Sequence, residues 1–283
     1  MKIGIVAKPH IEALKVCNKF IKYALTMGLQ VHVYIETLKS LVEQGLHVDS
    51  RVKILQKIDD TIDVDVLAIV GGNGTLLRTL HRFRQTPPLI LTIRYGRRGF
   101  LLDVGPDEIY DRLKDLINGN FFTIEYIRLK SRVEGKDLDI PYALNEVAVL
   151  HSEPWSMIRL NILKDSLSIL SIDCDGILIA TPAGSTAYSL AAGGPIIEHD
   201  VDGVVITPIA TQQLNIRPIV VKSSSLISIE VRHDSRKACL VIDGVNVAKL
   251  DPGNIVKVSK APSGIKVIRF SRGWFYERLY EGK

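Results

Sequence analysis

Apolar residues run along this chain in short blocks bounded by turn residues, and the rhythm of those blocks changes once. In the first hundred positions, runs at 2–7, 31–35, 66–70 and 89–93 alternate with stretches of helical period. The runs are nearly continuous in Ile, Val and Leu, as in strands covered on both faces. The period predicts helices over 11–27, in part of 38–58 with Gly45 interrupting, and from the glycines after Val70 to about Phe83. Strand and helix in alternation predict a parallel sheet with right-handed crossovers. One more amphipathic helix is expected over 107–117. From Phe121 to 269, strand-length runs follow one another, separated by turn pairs such as Asp175-Gly176, Asp243-Gly244 and Pro252-Gly253. That spacing predicts an all-β region. The reading is an α/β domain over 1–100, a β-rich domain over 101–269, and a tail over 270–283 able to pack back on the first domain.

The most informative boundary between period and turn is Val66-Leu67-Ala68-Ile69-Val70-Gly71-Gly72-Asn73-Gly74-Thr75-Leu76-Leu77-Arg78. It reads as a buried strand, a tight turn and a helix start, with Thr75 as the expected cap. Glycines let the backbone approach a ligand closely. A helix start offers free N–H groups and a positive dipole end to an anion such as phosphate. An ordinary strand-to-helix connection has a similar texture. The spacing fits neither the dinucleotide fingerprint nor the Walker P-loop.

Composition narrows the function classes. Of 283 residues, 46% are apolar and 24% charged, which is the balance of a globular protein with room for two domains. No apolar stretch nears the roughly 20 residues of a membrane helix, and the first residues read as a strand rather than a signal peptide. Cys17, Cys174 and Cys239 are scattered, with no C-x-x-C pair, so a disulfide framework or zinc site is not expected and a cytoplasmic location is. Net charge is +5, with a basic cluster at 94–98, yet no nucleic-acid-binding motif accompanies it. A polyanionic small substrate explains the balance better than nucleic acid or a membrane does.

Two further constellations carry chemistry. Asn145-Glu146 opens the run Val147-Ala148-Val149-Leu150 and places an amide beside a carboxylate, a pairing suited to vicinal hydroxyls; a solvated turn before a strand would look the same. The stretch from Asp173 to Pro195 reads as a buried strand, Ile177 to Ala180, then the loop Thr181-Pro182-Ala183-Gly184-Ser185-Thr186-Ala187-Tyr188. A helix is expected from Ser185 or Thr186, with its hydroxyls and N–H groups facing a ring or ribose and Tyr188 stacking. Ser185 lacks a G-x-S-x-G elbow, so a serine hydrolase is a poor reading.

The glycine turn resembles the GGDGT signature shared by NAD kinases and by diacylglycerol and sphingosine kinases. The Asp173–Pro195 stretch, Asn145-Glu146 and Thr207-Pro208-Ile209…Arg217-Pro218 resemble motifs of the NAD kinase family in the same order. The 173–195 stretch argues against a lipid kinase. The resemblance implies a Rossmann-like α/β domain followed by a β-rich domain. It implies transfer of the terminal phosphoryl group of ATP, or of polyphosphate, to the 2′-hydroxyl of the NAD adenosine ribose. It also implies Mg²⁺ or another divalent cation, and a homodimer or homotetramer that binds NAD, NADP and ATP.

By the same resemblance Gly72, Asn73, Gly74 and Thr75 lie against the phosphates and the reacting ribose, and Arg78 holds phosphate charge. Asn145 and Glu146 hold ribose hydroxyls. Asp175 meets the nicotinamide end, in one arrangement from a neighbouring subunit. Thr186, Ala187 and Tyr188 line the nucleoside, and Ala210 borders a base pocket. Asp173, Ala183, Ser189, Leu190 and Ala191 complete the nucleotide-binding set. No metal cage is expected from the sequence, because Mg²⁺ is held largely by nucleotide phosphates.

One departure matters most. Asn73 stands where the family carries an aspartate that serves as general base or metal holder. An amide keeps the shape but cannot take a proton, so weakened turnover with retained binding is expected. A homologue that binds NAD or NADP without turnover fits the same residues. Arg98, Ala183, Gln212 and Val245 also depart from the family pattern.

Overall fold

The computed structural model describes residues 1–96, 99–153 and 156–281; Arg98 lies outside the described residues. The chain divides into two compact units, Met1–Glu125 with Ile265–Lys283, and Tyr126–Gly264.

The first unit is built on β1 (Lys2–Ala7), α1 (Ile11–Thr26), β2 (Gln30–Tyr34), α2 (Ile35–Glu43), β3 (Lys53–Leu55), β4 (Val66–Gly71), α3 (Asn73–Leu80), β5 (Leu89–Arg94), α4 (Ile109–Asn118) and β6 (Phe122–Tyr126). The strands β3, β2, β1, β4 and β5 lie side by side in that order, all parallel. Every residue of β4 is buried, which explains its unbroken apolar run. The order reverses direction at β1, so the adjoining carboxyl ends of β1 and β4 form the switch point where ligands of such sheets bind.

The first unit reaches past residue 100, where the change of texture placed a boundary. The reason is α4, whose Ile109, Leu113 and Leu116 pack into the same core as Ile3, Leu14 and Val66. Apolar periodicity cannot say which neighbour a helix packs on, so α4 looked like the start of something new.

The second unit holds β7 (Leu129–Val133), β8 (Glu146–His151), β9 (Ile158–Lys164), β10 (Leu167–Cys174), β11 (Gly176–Ala180), α5 (Tyr188–Ala191), β12 (Gly203–Ile209), β13 (Ile219–Lys222), β14 (Ile227–Val231), β15 (Ala238–Ile242), β16 (Val245–Leu250) and β17 (Ile255–Lys260). They form a five-stranded sheet, β10-β9-β14-β17-β7, and a six-stranded sheet, β13-β12-β11-β8-β15-β16. Leu160, Ile229 and Val256 of one sheet share a core with Val149, Ile177 and Leu240 of the other. Alternate residues facing one core are what an antiparallel sandwich requires.

The chain then returns to the first unit through β18 (Ile265–Arg269) and α6 (Trp274–Glu281). β18 is parallel to β5 and lies between β5 and β6. Arg269 is fully buried, its guanidinium 3.7 Å from the centre of the Trp274 ring and bonded to the Leu101 carbonyl at 3.1 Å. Stacking and hydrogen bonding together offset the cost of burying this cation. Among the described residues no helix is long and apolar enough to cross a membrane.

Candidate functional site

In the first unit the chemistry gathers at the carboxyl ends of β1 and β4. The two strands are in register here, and the Lys8 N–H donates to the Val70 carbonyl at 2.9 Å. β4 ends at Gly71, where a Cβ would stand 2.5 Å from Thr75 Oγ1, so only glycine lets the turn close on the helix. Gly72 is the N-cap of α3, in extended conformation. Thr75, the expected cap, is instead the third residue of the helix, with its Oγ1 buried and unpartnered. The helix begins three residues earlier than the cap rule implied because Gly72 satisfies the cap geometry without a side chain. Of the first-turn N–H groups, that of Thr75 donates to the Gly72 carbonyl at 2.9 Å; helix geometry leaves those of Asn73 and Gly74 without an intrahelical acceptor, and Asn73 Oδ1 is buried beside them with no hydrogen-bond partner.

A cavity of about 270 Å³ opens next to this turn. Its cationic lining is Lys8, Arg78 and Arg82, against one carboxylate, Glu36, which Lys39 meets at 3.4 Å. Lys8 Nζ is 3.1 Å from Tyr95 Oη, and Arg82 donates to Tyr34 Oη at 2.8 Å while lying over its ring. Arg78 is exposed on the last turn of α3 and carries no ion pair among the described residues. Three cations around one pocket favour a polyanion. Lys8, Tyr34 and Arg82 were not singled out from the sequence. The strand-end rule that flagged the turn after β4 applies equally to the ends of β1 and β2 and would have found Lys8 and Tyr34; Arg82, just past the end of α3, carries no such signal.

In the second unit the Asn145-Glu146 pair and the Thr181 loop form one assembly. The Thr181 N–H donates to the Asn145 carbonyl at 2.8 Å, Thr181 Oγ1 donates to the Leu144 carbonyl at 2.5 Å, and Gly184 N–H donates to Thr181 Oγ1 at 3.0 Å. Asn145 and Glu146 are 8% and 6% exposed, and Asn145 Oδ1 and Glu146 Oε2 have no partner. Burial, with the Asp243 carboxylate next in weight, pushes the Glu146 carboxyl up to about 8. It is therefore largely protonated at neutral pH and can both donate and accept.

The hydroxyls of the Thr181 loop are more committed than the sequence implied. Instead of one helix from Ser185, the chain makes a 3₁₀ turn, Gly184–Thr186, then the single turn of α5. Ser185 Oγ donates to the Pro182 carbonyl at 2.7 Å and accepts from the Ile197 N–H at 2.9 Å. Thr186 Oγ1 donates to the Ala183 carbonyl at 3.1 Å. Ser189 is fully buried and shares a 2.8 Å hydrogen bond with Thr207. Ala183 is buried, Ala187 is half-buried, and Tyr188, Leu190 and Ala191 are exposed.

Asp173, Asp175 and Ala210 sit elsewhere. Asp175 and Ala210 adjoin the start of β11, where Gly176 faces Ile209, while Glu146 faces Ala180 at its other end. Four residue steps of strand put about 13 Å between the two groups. Asp173 pairs with Arg159 at 3.4 Å, and Arg159 also reaches Asp234 at 3.1 Å. Ala210 holds a left-handed conformation, φ 45°, which is strained for a residue with a Cβ. The three cysteines are free and buried, and burial holds the thiols of Cys17 and Cys174 up at about 12. Among the described residues no cluster of three metal-binding side chains occurs.

Comparison with known proteins agrees on both units. The family model of the ATP-NAD kinase N-terminal domain matches residues 3–121, and that of the ATP-NAD kinase C-terminal domain matches residues 144–270. An NAD kinase of Aeropyrum pernix is 38% identical over 89% of this chain and 93% of its own. One from Thermococcus kodakarensis is 36% identical over 96% of this chain and 95% of its own. The fold is that of yeast NADH kinase, solved with NADH (TM-score 0.89, 24% identity, 99% of this chain and 86% of that one). It is also that of an Archaeoglobus fulgidus NAD kinase solved with ATP (TM-score 0.76, 23% identity, 99% of this chain and 98% of that one). With family models matching in both units and near-full-length relatives 36% and 38% identical, this chain belongs to the NAD kinase family.

Proposed function

We propose that this chain transfers the terminal phosphoryl group of ATP to the 2′-hydroxyl of the NAD adenosine ribose, and that Asn73 slows the step. The observation that carries the reading is the turn after β4. It joins the Asn73 and Gly74 N–H groups at the helix start, an unpartnered Asn73 Oδ1 and a cation-lined cavity at the switch point of a parallel sheet.

The roles follow from that chemistry. Lys8 and Arg78, with the N–H groups of the first turn of α3, hold the donor phosphates. Tyr34 and Arg82 close the far side of the cavity against the donor's nucleoside. The Asn145 amide and the protonated Glu146 carboxyl, each with an unmet oxygen, meet ribose hydroxyls. A divalent ion bound with the phosphates would supply charge neutralisation at the transferred group. The unpartnered Asn73 Oδ1 fits such an ion as a neutral oxygen ligand. Asn73 orients the attacking hydroxyl but does not accept its proton, because an amide has no useful basicity.

Asp175 and Ala210, a strand's length from Glu146, serve the nicotinamide end or a base of a dinucleotide held by a neighbouring copy, as in a homodimer or homotetramer. The reading is tested by incubating the chain with NAD, ATP and Mg²⁺ and measuring NADP, beside calorimetric titration with NAD. Slow NADP formation with clear NAD binding is the expected result. A chain that binds no pyridine nucleotide would contradict it.

A further inference from the structure

The hairpin turn between β15 and β16 reaches into the Asn145-Glu146 segment. One oxygen of Asp243 accepts the Leu144 N–H at 2.8 Å, and the other accepts those of Asn145 and Glu146 at 2.8 and 3.0 Å. The Asp243 N–H in turn donates to the Glu146 carbonyl at 3.1 Å. Asp243 and Gly244 both have positive φ, 46° and 80°, as a tight two-residue hairpin turn requires.

The turn alone does not call for a carboxylate. Asn-Gly serves such turns as well as Asp-Gly does. An asparagine would also spare the buried Glu146 an anionic neighbour, since Asp243 is the charged group recorded acting on it. What a carboxylate adds is acceptor capacity. Its two oxygens take three successive main-chain donors with charge-assisted bonds, and an amide, with one oxygen, cannot.

We propose that Asp243 is a positioning residue, whose carboxylate gathers the main chain of residues 144–146 and thereby aims the Asn145 amide and the Glu146 carboxyl at the ribose. This deepens the reading of the site given above and rests on it. Asp243 touches no substrate; it acts through the segment it holds and through the proton it keeps on Glu146.

The test is calorimetric NAD affinity against pH, from 6 to 9.5, for the parent chain, Asp243→Asn and Glu146→Gln. In the parent, affinity weakens through one transition near pH 8, where Glu146 loses its proton. Glu146→Gln removes the transition. Asp243→Asn weakens binding at pH 7 by about tenfold, the loss of roughly one charge-assisted bond. It also moves the transition to lower pH, because the anion that opposed ionisation is gone. Weaker binding with the transition unmoved would leave Asp243 a purely structural residue and overturn the proposal, as would an Asp243→Asn chain that behaves like the parent. No NAD binding by the parent at any pH would sink the reading of the whole site instead. Should Asp243→Asn fail to fold, hydrogen exchange on the parent decides. The amides of Leu144, Asn145 and Glu146 are expected to exchange slowly, and rapid exchange at all three would overturn the proposal.

Discussion

Gly184 packs so closely on Asn145 that a Cβ at Gly184 would collide with the Asn145 carbonyl oxygen. Two motifs nearly forty positions apart are thus locked together at their backbones, and Thr181 ties the same two segments by hydrogen bonds from its N–H and its hydroxyl. The Asn145-Glu146 pair is held by main-chain packing rather than by its own side chains. That leaves Asn145 Oδ1 and Glu146 Oε2 free for a ligand.

Gly184→Ala tests this lock. The added methyl has backbone on its path, which cannot move as a flexible side chain can. Overpacking of this kind should destabilise the chain by on the order of 2–4 kcal/mol. Urea unfolding measures it, and NAD affinity should fall in the same variant. A Gly184→Ala chain as stable as the parent, with unchanged affinity, would show that the two segments are not joined in this way.

Glu146 makes stability depend on pH. Its folded carboxyl titrates at about 8, against 4.5 for an ordinary glutamate. Between those values the folded chain holds a proton that the unfolded chain has released, so stability falls as pH rises across the window. Glu146→Gln carries no such penalty. It should raise stability by a few kcal/mol at pH 9, with the gain shrinking towards pH 5. Thermal melts of both chains at these two pH values provide the check, and a constant difference would contradict the assigned protonation.

Arg78 is the exposed cation next to the glycine turn, with no ion pair among the described residues. Arg78→Ala should raise the KM for ATP about tenfold or more, since a charged hydrogen bond to phosphate contributes roughly 1.5–3 kcal/mol. The KM for NAD should hardly change. Initial-rate kinetics with each substrate varied in turn distinguish this from a general loss of fold, which would move both.

Much of the architecture is legible in the sequence because it rests on local pattern. The buried run Val66 to Val70, the glycines after it and the turn pairs of the β-rich part all have short-range signatures. The family resemblance rests on the same residues. What escapes a sequence reading is long-range. Nothing local marks 265–269 as a strand that leaves the β-rich unit to lie beside β5, nor Arg269 as the cation that Trp274 covers. Asp243-Gly244 reads correctly as a turn, but its grip on residues 144–146 spans about a hundred positions and has no sequence trace. Thr75 was misplaced as a cap because a glycine N-cap leaves no polar side chain to find.

In the proposed reaction, position 73 is where the proton of the attacking hydroxyl is managed. An aspartate there suits the first position of α3, where the helix dipole favours negative charge, so Asn73→Asp should fold as the parent does. The decisive measurement is NADP formation from NAD, ATP and Mg²⁺ by the parent and Asn73→Asp side by side, with residue 73 verified by mass spectrometry because Asn-Gly pairs deamidate. The aspartate is expected to be faster by about 10²–10⁴-fold, the usual contribution of a general base, with little change in NAD affinity. Equal rates would contradict it and send the proton by another route, and silence from both chains would make this family member a binder of NAD rather than a kinase.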